Sequence, residues 1–257
     1  MANGASWDKI FKDYKISEHD FEKAPFVLSA TQIKRACQNF KETGEKEPRI
    51  LCKQDSREDR PEIFVKNNLF LLPVKNGLYN LIRGEGYVDI PEVKTQTINY
   101  DSKLDFQLDT AKIGNSEMQH LDYAYAASLI RTFTKDPSLV LTIRGRKYTP
   151  KFDFFVEKQS IFVSGVQTEV DAGYEGKDQI VLIEAKNSNT TNVIIRQLYY
   201  PFRQWQEYTN KKVTTLFFEK TQGDDTYAVW QFEFKDPKQY NSIKLVKSGR
   251  FRIGGRF

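Results

Sequence analysis

The sequence predicts a mixed α/β fold of the α+β kind, with a central mixed sheet flanked by helices and a mainly helical region in front of it. Three observations carry this. Residues 179–186 are short, apolar and β-branched, residues 191–208 repeat with helical period through Pro201, and residues 213–219 are again strand-like. Such a strand, helix, strand run makes a βαβ crossover, which demands a parallel step in the sheet. Upstream, the segments around 139–144, 152–157 and 161–171 follow one another through short turns, as antiparallel strands do, and 226–234 and 242–247 extend the set. The first third has another rhythm, three short helical stretches followed by a hairpin.

In that first third, Trp7, Ile10, Phe11 and Tyr14 share one side of a short helix. Ser29 is a suitable N-cap for a second, carrying Ile33, Ala36, Cys37 and Phe40. After a polar loop with Gly44 and Pro48, Pro61 stands where a first-turn proline starts a third helix ending at Asn67-Asn68. Two apolar runs then flank Asn76-Gly77, the dipeptide of a two-residue hairpin turn. Three helices and a hairpin is the order of a winged helix-turn-helix, and equally of a helical extension that packs on a larger domain. In the first case Arg57 and Arg60 before the third helix, and Lys75 at the hairpin turn, would contact DNA. Pro91 and the polar stretch after Val93 divide the chain into residues 1–95 and 96–257. In the second part Ser116 and Gln119 form a capping box for a helix over 117–133.

Composition excludes some classes of function. No run approaches the roughly 18 to 20 apolar residues of a membrane span, and charged residues scattered through the first 25 predict no secretory signal, so a cytoplasmic protein without a membrane partner is expected. Cys37 and Cys52 lack metal-ligand spacing and fit a reducing compartment. The net charge of +5 is unevenly spread. Lys235, Lys238, Lys244, Lys247, Arg250, Arg252 and Arg256 face only Asp236 at the C-terminal end, and Arg144, Arg146, Lys147 and Lys151 cluster around Tyr148. Patches of this kind suit phosphate contacts.

The chemistry is concentrated between Gln167 and Asn187, QTEVDAGYEGKDQIVLIEAKN. Residues two apart on a strand project from one face, so Glu184 and Lys186 lie side by side while Ala185 points away. If the preceding strand pairs antiparallel through the turn at 173–178, Asp171 approaches Glu184 and offers a second hard oxygen to one divalent cation. A charged pair interrupting an apolar run is costly unless it has a partner or a metal. The bland alternative is a cross-strand ion pair.

The order helix, strand, strand with Asp, strand with Glu-x-Lys, helix, strand resembles the PD-(D/E)xK nuclease superfamily. The stretch VQTEVDAGYEG…VLIEAKN…IIRQLYYPFRQW is similar to that of type II restriction endonucleases, with Val170 where the superfamily's name has proline. The resemblance implies a restriction-endonuclease-like core in which Asp171, Glu184 and the carbonyl of Ala185 bind Mg2+, Mn2+ being able to substitute. Lys186 would orient or deprotonate the attacking water. Glu117, at the start of the preceding helix, matches an extra acid, and Glu169 and Gln197 are further candidates. Implied with these are hydrolysis of double-stranded DNA at a short specific sequence to 5′-phosphate ends, a homodimer, a cognate DNA methyltransferase and a prokaryotic cytoplasm. A repair or junction-resolving nuclease of the same superfamily, or a non-catalytic DNA-binding protein, remains open as an alternative.

Overall fold

The computed structural model describes residues 3–187, 189–221, 223 and 225–254. Its N-terminal region runs α1 (Gly4–Asp13), β1 (Phe26–Ser29), α2 (Ala30–Cys37), α3 (Thr43–Lys46), α4 (Pro48–Leu51), α5 (Glu62–Lys66), β2 (Leu69–Lys75) and β3 (Leu78–Arg83). Ser29 caps α2 through a full capping box with Gln32, an arrangement worth about 1 kcal/mol. Gly77 adopts φ 71°, the left-handed backbone that a two-residue hairpin turn requires. The three strands pair in the order β1-β3-β2.

Strand alternation decides how this region meets the rest. Leu69, Leu71 and Leu81 pack among the helices with Trp7, Ile10 and Phe64. Phe70, Leu72, Val74 and Ile82 face the other way, into a large core with Phe154, Tyr199 and Tyr200. The hairpin is therefore buried on both faces, while Lys75 and Asn76 at its tip are exposed.

The remainder comprises β4 (Tyr87–Asp89), β5 (Ile98–Asp101), α6 (Glu117–Ala126), α7 (Leu129–Thr134), β6 (Val140–Tyr148), β7 (Phe152–Val156), β8 (Gln159–Val163), β9 (Gln167–Glu175), β10 (Gln179–Lys186), β11 (Asn192–Ile194), α8 (Arg196–Gln206), β12 (Lys212–Lys220), β13 (Tyr227–Phe234) and β14 (Ile243–Gly254). Seven strands form a mixed sheet ordered β5-β14-β13-β12-β10-β9-β6. β10 and β12 are parallel, joined by α8 as the crossover requires, while β9 and β10 are antiparallel. α8 covers one face, where Leu198, Tyr199 and Phe202 pack with Phe217, Trp230 and Phe232. α6 and α7 cover the other, where Leu121, Ala124 and Ile130 meet Val181, Ile183 and Leu216. Tyr87, Ile90 and Val93 also belong to the α8-side core.

Some elements depart from the sequence reading for tertiary reasons. The helix expected over 117–133 breaks at Ser128, φ 66°, where the Ala127 carbonyl instead accepts Lys103 N–H at 3.1 Å and the Tyr100 hydroxyl at 3.2 Å. Only half of the Ser116 capping box forms, because the Gln119 side chain donates to Thr110 O at 2.9 Å. The strand read over 161–171 is two strands, parted by Gly165 at φ 63°. The helix read from 191 starts at Arg196, because Asn192–Ile194 is claimed by β4 as a strand partner. Among the described residues, no helix is long and apolar enough to cross a membrane.

Candidate active site

The last paired residues of β9 and β10 are Ala172 and Ile183, so the next positions in the same register are Asp171 and Glu184. There the two strands part. Instead of a ladder bond, the Ala185 N–H donates to Asp171 Oδ2 at 2.7 Å. A residue's N–H and C=O leave a strand on the same edge, so the Ala185 carbonyl is turned toward the gap as well. The methyl of Ala185 is fully buried on the α6 face. Glu184 and Lys186 project to the opposite face, with Lys186 Nζ donating to Glu184 Oε1 at 2.5 Å.

A bulge sets Asp171 in this position. Gly173 pairs with Ile143 but Val170 pairs with Gly145, so β9 carries an extra residue at 171–172. The chain changes face there: Ala172 packs on the α6 side, Val170 with Ile180 and Leu182 on the other. Bulges re-aim side chains in this way beside active sites.

The parted strands open a cleft of about 580 Å³. Asp55, Glu117, Glu169, Asp171 and Glu184 line it, along with Lys53, Lys186, Arg196 and Gln197. Burial pushes the Glu184 carboxyl up to about 7, against the pull of Lys186. Asp171 is likewise raised by burial, although the Ala185 N–H and Lys186 oppose it. Burial pulls Lys186 down, but the carboxylates of Glu184, Asp171 and Glu117 outweigh it and its pKa is raised. With these carboxylates uncompensated, the balance keeps Lys186 protonated.

Could this donor set take a divalent ion? Among the described residues no three His, Cys, Asp or Glu side chains gather into a closed cage. Magnesium does not ask for one, since it binds through one or two carboxylates and completes its shell with water and phosphate. Two largely buried carboxylates at an open cleft, both with pKa values raised by burial, are short of positive charge. Gln197 Oε1 is buried beside them without a hydrogen-bond partner, and a buried acceptor in that condition is costly unless water or a ligand satisfies it. The residues fit the group.

Of the other expected residues, Glu117 reaches the cleft from the first turn of α6, and Glu169 lines it while pairing with Arg146 at 3.3 Å. Arg144 is bound to Asp122. Arg146 and Lys147 are exposed on the sheet edge, opposite Glu169 and Thr168 of the cleft wall. Arg57 is held by Asp89 at 2.5 Å, and Arg60 donates to Leu69 O and lies over the Tyr87 ring. Both are thus engaged within the chain, whereas Lys75 is exposed. Three strands separate β14, with Lys244, Lys247, Arg250 and Arg252, from β9; Arg256 lies outside the described residues. The sequence reading missed Lys53, Asp55 and Arg196. Asp55 sits in a featureless polar loop and reaches the cleft only because its carbonyl accepts Ile194 N–H at 2.8 Å.

A mixed sheet with paired carboxylates where two strands part defines an α+β protein with an acidic cleft. Residues 82–252 match the family described as Domain of unknown function (DUF6997), and the chain belongs to it. Residues 4–81 match Domain of unknown function (DUF6996). No curated protein and no solved structure matches the chain.

Proposed function

We propose that this chain is a magnesium-dependent nuclease of the PD-(D/E)xK type that hydrolyses phosphodiester bonds of double-stranded DNA, and within that class a type II restriction endonuclease. The observation that carries the reading is the placement of Asp171 opposite Glu184, with Lys186 on the same face, at the mouth of a cleft. Asp171, Glu184 and the Ala185 carbonyl would hold the ion. A divalent cation bound there would neutralise the scissile phosphate and lower the pKa of water. Lys186 would donate a hydrogen bond that orients the attacking water, and only as the neutral amine would it accept the water's proton. Glu117, from α6, and Gln197 Oε1, from α8, would orient water within the cleft. The products are a 5′-phosphate and a 3′-hydroxyl, and Mn2+ serves in place of Mg2+.

Arg146 and Lys147 on the exposed edge lie where a phosphate backbone entering the cleft would pass. The order of helices and the strand order β1-β3-β2 support a winged-helix reading of the N-terminal region, with the hairpin tip at Lys75 as its free contact. A homodimer presenting one cleft to each strand, and a companion methyltransferase protecting host DNA, complete the restriction reading. One observation favours the repair or junction-resolving alternative: Arg57 and Arg60 are spent on contacts within the chain, which leaves fewer side chains to read bases.

Incubation of plasmid and phage DNA with protein and magnesium, with EDTA as control, tests this. Discrete fragments with mapped ends support restriction. Smearing, or cutting of branched DNA alone, supports the alternative, and intact DNA under all metals overturns the nuclease.

A further inference from the structure

The acidic cleft does not end at its carboxylates. Lys53, Gln167 and Arg196 belong to its wall and also to the wall of an adjoining hollow of about 290 Å³ that runs toward the hairpin tip. The two spaces differ in charge. Five carboxylates line the cleft against three cations. The hollow is lined by Arg49, Lys53, Lys75 and Arg196, with no carboxylate. Arg49 and Lys75 are exposed and make no salt bridge among the described residues.

Arg196 stands at the junction. Its Nη2 lies 3.7 Å from Asp55 Oδ1, and its Nε is buried without a hydrogen-bond partner. The segment bearing Lys53 and Asp55 is pinned to β11, immediately before α8. Ile194 N–H donates to Asp55 O at 2.8 Å, Arg57 N–H to Asn192 Oδ1 at 2.7 Å, and Asn192 Nδ2 to Glu58 Oε2 at 2.9 Å. A row of fixed and free cations beside a cation-binding cleft has the charge pattern of a backbone track, since each phosphate carries the charge that the hollow lacks.

We propose that this hollow is a second phosphate site, in which Arg49, Lys53, Lys75 and Arg196 hold the backbone of the DNA strand flanking the scissile phosphate, so that the N-terminal hairpin and the catalytic strands grip one strand. This rests on the nuclease reading for its orientation and on charge for its ligand. Asp55 is a positioning residue that keeps Arg196 turned to the junction.

The test measures binding of a fluorescein-labelled random-sequence duplex to the full chain in calcium, as a function of KCl. Arg49→Ala with Lys75→Ala, and separately Arg196→Gln, lower the slope of log affinity against log salt by about 0.9 for each cation removed. A control pair on other surfaces, Lys41→Ala with Lys158→Ala, leaves the slope unchanged. Circular dichroism establishes that each variant is folded; the surface pair reports even if Arg196→Gln misfolds. A slope that stays at the wild-type value in the Arg49, Lys75 pair, or that falls equally in the control pair, overturns the site. Incubating the wild type with plasmid and phage DNA in magnesium, where many candidate sequences are present, separates the two ideas. Bound but uncut DNA, with a lowered slope in the variants, sinks the nuclease alone; cut DNA with an unaltered slope sinks the phosphate site alone. A wild type that does not bind overturns both.

Discussion

Asp171 Oδ2 accepts the backbone N–H of Ala185 at 2.7 Å, where a strand ladder would place a carbonyl oxygen. This single substitution of a side chain for a main chain ends the pairing of β9 with β10 and leaves one carboxylate oxygen of Asp171, with the Ala185 carbonyl, facing the gap. Asp171 is thus both a structural acceptor and a candidate ligand, and the two roles separate experimentally. Asp171→Asn retains an acceptor for Ala185 and removes the charge, so its melting temperature should stay at or above that of the wild type while metal-dependent cleavage is lost. Asp171→Ala strands the Ala185 N–H and should cost about 1 to 3 kcal/mol in urea denaturation. Equal destabilisation by both variants contradicts the dual role.

Glu184→Ala and Lys186→Ala should suppress cleavage while sparing DNA binding in calcium. For Lys186, loss of a positioned proton acceptor corresponds to a rate drop of about 10² to 10⁴. Single-turnover cleavage of a labelled plasmid reads this directly, and a fully active Glu184→Ala protein removes the metal assignment.

The raised Glu184 carboxyl gives stability a pH signature. Its value of about 7 exceeds the ordinary 4.5, so between these limits the folded state binds more protons than the unfolded, and metal-free stability falls as pH rises through that window. The drop amounts to roughly 3 kcal/mol at most. It should be absent in Glu184→Gln, which chemical denaturation at pH 5 and pH 8 with EDTA will show.

On the proposed reading the same group should govern metal affinity. A carboxylate must shed its proton to ligate, so apparent Mn2+ affinity should weaken by about tenfold per pH unit below about 7 and level off above it. Calorimetric titration at several pH values, with proton release followed through buffers of different ionisation heat, checks this. A flat profile argues against Glu184 as ligand.

Gly173 adjoins the bulge that aims Asp171. A Cβ there would sit 2.6 Å from the Ile143 Cβ, so β6 and β9 must shift apart. Gly173→Ala should destabilise by about 1 to 3 kcal/mol and reduce cleavage more than DNA binding, because the displaced groups are the carboxylates. Retention of full activity would show that the bulge does not set the site.

What sequence by itself determined here is local. Strand alternation put Glu184 and Lys186 on one face, a β-branched run set β10 at its observed limits, Asn76-Gly77 made the hairpin turn and Ser29 capped α2, because each depends on neighbours within a few residues. The approach of Asp171 to Glu184 was also legible, as an antiparallel turn fixes the register of both strands. Other features lie across the fold. The bulge at Asp171 arises from a register shift against β6, and the break at Ser128 from the Ala127 carbonyl meeting the Tyr100 hydroxyl of β5 and the Lys103 N–H just beyond it. Asp55 and Arg196 reach the cleft because β4 claims Asn192–Ile194 as a strand and pulls a distant loop onto it. Arg57 and Arg60 turn inward for the same reason. Periodicity encodes which way a side chain faces; which distant chain it then meets depends on packing between elements, and only the tertiary structure decides it.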